Sequence, residues 1–128
     1  MTDRQAIRTE EAPAPFQGAP YSQAIAAGGL VFVSGQVGLR SGDSEPVSDS
    51  VAEQTEQALA NLGAILAAAG SGLDRLVKTT VYLASLSDFA EMNEAYRRAI
   101  PDPPPARATV GAELPGSFRV EIEGIGAI

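Results

Sequence analysis

The chain has 128 residues, enough for one domain spanning residues 1–128 with a core of its own, and its 45% hydrophobic and 20% charged content matches folded globular proteins. It carries a net charge of −7 and has no cysteine and no histidine, which excludes disulfides, thiol nucleophiles, Cys- or His-ligated zinc and any triad with a histidine base. An acidic chain without a Lys/Arg cluster is a poor partner for nucleic acid; no apolar run approaches the roughly 18 residues of a membrane span; and the polar opening MTDRQAIRTEE is unlike a signal peptide, so a cytoplasmic location is expected.

In chain order, a short strand is expected near Ala6–Thr9, followed by an irregular segment containing Pro13, Pro15 and Pro20. Residues 28–39, GGLVFVSGQVGL, are rich in β-branched and aromatic side chains and read as a strand broken at Ser34-Gly35 by a bulge or a close backbone approach. The polar stretch 40–50 is loop. A helix follows, capped by Ser48 or Asp49, with Glu53 at capping-box spacing from Ser50. Ala58, Leu59, Leu62, Ile65, Leu66 and Ala69 form its apolar face, and Gly70 stops it. LVKTTVYLA (76–84) is a strand whose Val77, Thr79, Val81 and Leu83 share one face. A second helix, capped by Ser87 or Asp88, places Phe89, Met92, Tyr96 and Ile100 at helical spacing and ends at Pro101 and Pro103. ARATVGAEL and RVEIEGIGAI are the last strands. This order describes an α+β domain with two helices on one face of a mixed sheet. The other face is apolar enough to call for cover, for which self-association, with sites at the interfaces, is the simple remedy; a partly polar open face on a monomer is the alternative.

If the chain is an enzyme, Glu, Asp, Arg, Tyr, backbone groups and water must do the chemistry; Lys78 is the only lysine. Arg107 stands alone at the mouth of an apolar, β-prone stretch, straight after three prolines. A guanidinium there needs an anion. That anion is either a structural partner, Glu121 or Glu123 on a neighbouring strand, or the carboxylate of a ligand held bidentately. In RVEIEG, Glu121 and Glu123 share one face about 7 Å apart, serving as solvated polarity or orienting a water. By themselves Tyr21 reads as packing, Ser34 and Gly35 as a bulge, and Asn93 as a solvent-facing helix residue.

Taken together, PYSQA, VSGQVG, VKTTVYL, DFAEMNEAY, PARATV and VEIEGIGA run in this order across nearly the whole chain. The set resembles the RidA (YjgF) family, the reactive-intermediate deaminases, over about residues 6–128. The resemblance implies a chorismate-mutase-like α+β fold and a homotrimer with pockets between subunits. It also implies hydrolysis of 2-imino acids, or their 2-aminoacrylate tautomers, to 2-keto acids and ammonia, with no cofactor and no metal. It assigns Arg107 to the substrate carboxylate and Glu121 with the backbone of Thr109 to the water. Tyr21, Ser34, Gly35 and Asn93 are assigned to the pocket wall. Family members often carry Cys where Thr109 stands, so a thiol role is excluded here while a backbone role survives. The linker IPDPPPA is shorter and richer in proline than is usual. A pathway-specific aminoacrylate or aminomuconate deaminase and a non-catalytic ligand-binding or chaperone-like module are the alternatives; the family also carries an endoribonuclease label, which the charge of −7 and the lack of histidine oppose.

Overall fold

The computed structural model describes residues 3–128. Six strands, β1 (Gln5–Ile7), β2 (Ala24–Ala27), β3 (Leu30–Val37), β4 (Leu76–Leu83), β5 (Ala106–Gly111) and β6 (Val120–Ala127), form one sheet in the order β1-β2-β3-β6-β4-β5. All neighbours are antiparallel except β4 and β5. Two helices, α1 (Val51–Ala68) and α2 (Phe89–Ala99), supply the crossovers. The expected mixed sheet with both helices on one face is what forms. Leu59, Leu62 and Leu66 of α1 and Met92 and Tyr96 of α2 share one buried core with Val31, Val33, Val81, Leu83, Val120 and Ile122 of the sheet.

Four expectations need correction. First, β2 was not expected: AIAA lacks the β-branched density that marks β3, and Gly28-Gly29 is the turn of a β2–β3 hairpin rather than the start of a strand. Both glycines have positive φ, +61° and +79°, as a two-residue hairpin turn requires. Second, Val77 does not share a face with Thr79, Val81 and Leu83. Leu76 pairs with Gly126 and Lys78 with Ile125, which leaves Val77 as an extra bulged residue and pushes its side chain into solvent.

Third, the N-cap of α1 is Ser50, not Ser48 or Asp49. The Ser50 hydroxyl accepts the Glu53 N–H at 3.1 Å, and the Glu53 carboxylate accepts from the Ser48 hydroxyl instead of returning to the Ser50 backbone. The expected stop holds: Gly70 has φ +83°, and the Ser71 N–H reaches back to the Leu66 carbonyl. Fourth, neither Ser87 nor Asp88 caps α2 with its side chain. Residues Leu86–Asp88 form a 3₁₀ turn whose Ser87 N–H donates to the Ser85 hydroxyl. The Asp88 carboxylate is drawn away by Arg119 at 3.0 Å.

Two polar devices fix the strand that carries Glu121. Gln54, fully buried in α1, accepts the Arg119 N–H at 2.8 Å and donates to the Ser48 carbonyl. The Arg119 guanidinium donates to the Asp49 carbonyl and to Asp88. The start of β6 is thereby tied to both helices. A buried polar group with its partners in place specifies one arrangement, because any slip would strand those partners unpaired.

Candidate active site

The bulge expected at Ser34-Gly35 is present. Val33 pairs with Gly124 and Gln36 with Ile122, so Ser34 and Gly35 together face Glu123. The bulge lets the Glu121 side chain lie against the bare backbone of Gly35: a Cβ there would overlap the carboxylate, with Glu121 Cδ at 2.8 Å. Ser34 is pinned on the neighbouring segment, its N–H donating to the Gln23 carbonyl and its hydroxyl to the Ser22 carbonyl at 2.6 Å. Tyr21 precedes that segment, and its phenolic oxygen accepts the Phe16 N–H at 2.7 Å. Tyr21 and Gly35 line a common cavity of about 40 Å³. The Glu121 carboxyl is pushed above the usual carboxylate range, first by burial and then by the charge of Glu123. Glu123 accepts a short hydrogen bond from the Tyr82 hydroxyl, which raises the tyrosine's own pKa.

Arg107 belongs to a different surface. It pairs with Thr79 across β4–β5, and Thr79 faces the helices. Its guanidinium lies under α2, where Nη2 donates to Asn93 Oδ1 at 2.7 Å. The guanidinium carbon stands 4.8 Å from the Tyr96 ring centroid and 5.8 Å from that of Phe89. Thr109, two residues on, shares the Arg107 side of β5. Because β5 is an edge strand, half of its backbone N–H and C=O groups face away from β4. Arg107, Asn93, Tyr96, Ile100, Pro104 and Pro105 line an open cleft of about 480 Å³ that also touches Arg97 and Asp102.

The ion pair between Arg107 and Glu121 or Glu123 does not form. Strand β4 separates β5 from β6, and Glu121 pairs with Tyr82, three residues from the Thr79 that pairs with Arg107. An odd separation along a strand means opposite faces. Among the described residues no carboxylate lies within ion-pair distance of Arg107. Asn93, read from sequence as solvent-facing, is instead the partner of the arginine. The structure thus collects the site residues into two groups, Tyr21, Ser34, Gly35 and Glu121 in one and Arg107, Thr109 and Asn93 in the other. In one chain these groups look out from opposite sides of the sheet. Sequence spacing alone does not assign Phe89, which is 44% exposed, and the buried Tyr96 to the arginine they flank. Their spacing with Asn93, at steps of four and three, was the available signal.

Residues 9–128 match the family described as endoribonuclease L-PSP. The chain belongs to this family. Over 126 residues it is 47% identical to an Arabidopsis thaliana protein named Reactive Intermediate Deaminase A, chloroplastic, covering 98% of this chain and 66% of that protein. It is 46% identical over 123 residues to the mouse 2-iminobutanoate/2-iminopropanoate deaminase, covering 95% of this chain and 90% of the mouse protein. Among solved structures, RidA from an Antarctic Psychrobacter superposes with a TM-score of 0.90 at 42% identity, covering 97% of this chain and 99% of that one. The RidA resemblance read from the motifs and the L-PSP family match therefore describe the same group of proteins. One relative is named chloroplastic, so family membership by itself fixes no compartment. No helix among the described residues is long and apolar enough to cross a membrane.

Proposed function

We propose that this protein hydrolyses 2-imino acids and their 2-aminoacrylate tautomers to 2-keto acids and ammonia, at sites completed between copies of the chain in a homotrimer. The observation that carries the proposal is the division of the site: an arginine with no carboxylate partner among the described residues on one surface, and a half-buried carboxylate with raised proton affinity on the other. The names of the mouse and Arabidopsis relatives support the same chemistry. Two copies that apply the open face of one sheet to the β5 edge of the next would bring the groups together. Phe32 and Val110, both exposed on the open face, give that contact its apolar surface.

In this reading Arg107 holds the substrate carboxylate bidentately, leaving its link to Asn93 intact. Glu121, with the backbone of Thr109 from the neighbouring copy, holds a water at the imine carbon. Glu121 takes a proton from that water as the oxygen bonds to C2 and the C=N π pair moves to the protonated nitrogen. Glu121 returns that proton to the carbinolamine nitrogen; as the C–N bond breaks, an oxygen lone pair forms the C=O bond and the hydroxyl proton passes to the departing ammonia, leaving Glu121 ionised again. One protonated imine and one water enter, and one ammonium ion and one keto acid leave. The imine carbon is already electrophilic, so positioning and a matched base supply what the reaction needs. A carboxylate with raised proton affinity is the better base for this step. Tyr21, Ser34 and Gly35 form the wall beside Glu121. The cytoplasmic location expected from the sequence is part of this proposal.

The test generates 2-iminobutanoate in situ from threonine with a dehydratase and follows keto-acid release. Wild-type protein is expected to accelerate release and Arg107→Ala to abolish the acceleration while keeping the fold. No acceleration by folded wild type overturns the proposal.

A further inference from the structure

We infer that Phe89 and Tyr96 are positioning residues whose ring faces hold the Arg107 guanidinium in place, so that its hydrogen-bond donors stay free for an incoming carboxylate. The inference rests on the reading of Arg107 as the substrate clamp and adds to it the residues that set the clamp's orientation.

Arginine at such a site has a conflict to resolve. It must be held still to act as a fork, yet every donor spent on a protein partner is lost to the ligand, and a protein carboxylate would compete with the ligand outright. Among the described residues one of its five N–H donors is used, by a neutral amide oxygen, Asn93 Oδ1. The remaining restraint comes from ring faces at 4.8 Å and 5.8 Å, within the range at which an aromatic quadrupole attracts a cation without consuming an N–H group. Phe89, Asn93 and Tyr96 recur at four- and three-residue steps along α2, so one helix stripe presents ring, amide and ring to the arginine.

The two rings are anchored differently. Tyr96 is buried, and its hydroxyl shares a 2.7 Å hydrogen bond with the buried Thr79 hydroxyl. Thr79 is the β4 residue paired with Arg107. The strand next to the arginine therefore fixes the ring above it. Phe89 sits in the first turn of α2 and is 44% exposed. A large apolar side chain left in solvent contributes little to the core, and its contact with Arg107 is what its position provides. The exposed site also makes it a safe one to alter.

Phe89→Leu, Phe89→Tyr and Tyr96→Phe are compared with wild type. At about 0.5–1 kcal/mol for one ring, Phe89→Leu is expected to raise KM for 2-iminobutanoate, and Kd for 2-oxobutanoate by calorimetry, about two- to fivefold. The turnover number and the thermal midpoint stay near wild type. Phe89→Tyr, which keeps a ring, restores both constants, and Tyr96→Phe raises them less than Phe89→Leu because its ring remains. In NMR spectra the Arg107 side-chain protons of wild type are shifted upfield by the ring currents, and Phe89→Leu releases part of that shift. Unchanged KM and Kd in Phe89→Leu, or a loss confined to turnover, overturns the inference. If wild type accelerates no imine, the deaminase reading falls, and the calorimetry and the ring-current shift still decide the role of the rings.

Discussion

Gly35→Ala separates the chemistry of this fold from its stability more cleanly than any charge substitution. Gly35 does not have a positive φ, so alanine fits the backbone, and the atoms in its way belong to one flexible side chain: the Glu121 carboxylate, with Cδ at 2.8 Å and Cγ at 3.0 Å. To regain ordinary contact near 3.5 Å the carboxylate must retreat by about 1 Å or more, and a misplacement of that size costs about 100-fold in rate. The unfolded chain meanwhile loses freedom when glycine becomes alanine, worth roughly 0.4–1 kcal/mol in favour of the fold. The expected variant has an unchanged or slightly higher thermal midpoint, a keto-acid release rate down about 100-fold, and KM close to wild type, because Arg107 is untouched. Gly38→Ala is the control. There the new Cβ would meet the Gln54 backbone Cα at 2.6 Å, which cannot swing aside, so α1 must shift and stability must fall. Wild-type turnover in a folded Gly35→Ala protein would refute the placement of Glu121 at the reacting water.

Arg107→Lys keeps the charge but loses the fork and its stacking plane; losing one charge-assisted hydrogen bond of about 1.5–3 kcal/mol should raise KM by tenfold or more, read by steady-state kinetics. Glu123→Gln removes the charge that helps raise the Glu121 pKa, so the acid limb of kcat/KM, set by Glu121 losing its proton, should move to lower pH. The same shift has a sign in stability. With the folded pKa above the unfolded one, the folded state binds more protons between the two values, and stability falls as pH rises through that window. Glu121→Gln should therefore raise the thermal midpoint at neutral pH and lose that advantage well below the ordinary carboxylate pKa of about 4.3. Arg119→Ala strands the buried Asp88 carboxylate, one oxygen of which already has no partner, and should cost about 1–3 kcal/mol in urea unfolding.

Periodicity and punctuation made most of the fold legible. The apolar steps of α1, the glycine after it, and the β-branched runs of β3 and β4 each obey a local rule, and the structure follows them. The misses are places where a long-range partner overrode the local signal. AIAA becomes a strand because β1 and β3 flank it. Asp88 gives up its cap because Arg119, 31 residues away, reaches it. Val77 leaves the buried face because the register with β6 slips by one residue. For the site, the residue types were readable and the geometry was not. Alternation showed Glu121 and Glu123 on one face, but only the strand order shows that Arg107 looks the other way. That order depends on which strand lies between β5 and β6, and no local pattern in either strand encodes it.

The measurement that bears most directly on the account is subunit complementation between Arg107→Ala and Glu121→Gln. Each variant is purified, the two are mixed in equal amounts in denaturant, and the mixture is refolded and assayed with 2-iminobutanoate generated in situ. Neither variant alone has both groups, in any copy or between any pair of copies. Random reassembly makes about three trimers in four mixed, and each mixed trimer has one intact site of three, drawing Arg107 from one chain and Glu121 from its neighbour, so activity should return to about a quarter of that of refolded wild type. A mixture of folded, assembled subunits that stays as inactive as its components would contradict a site shared between copies.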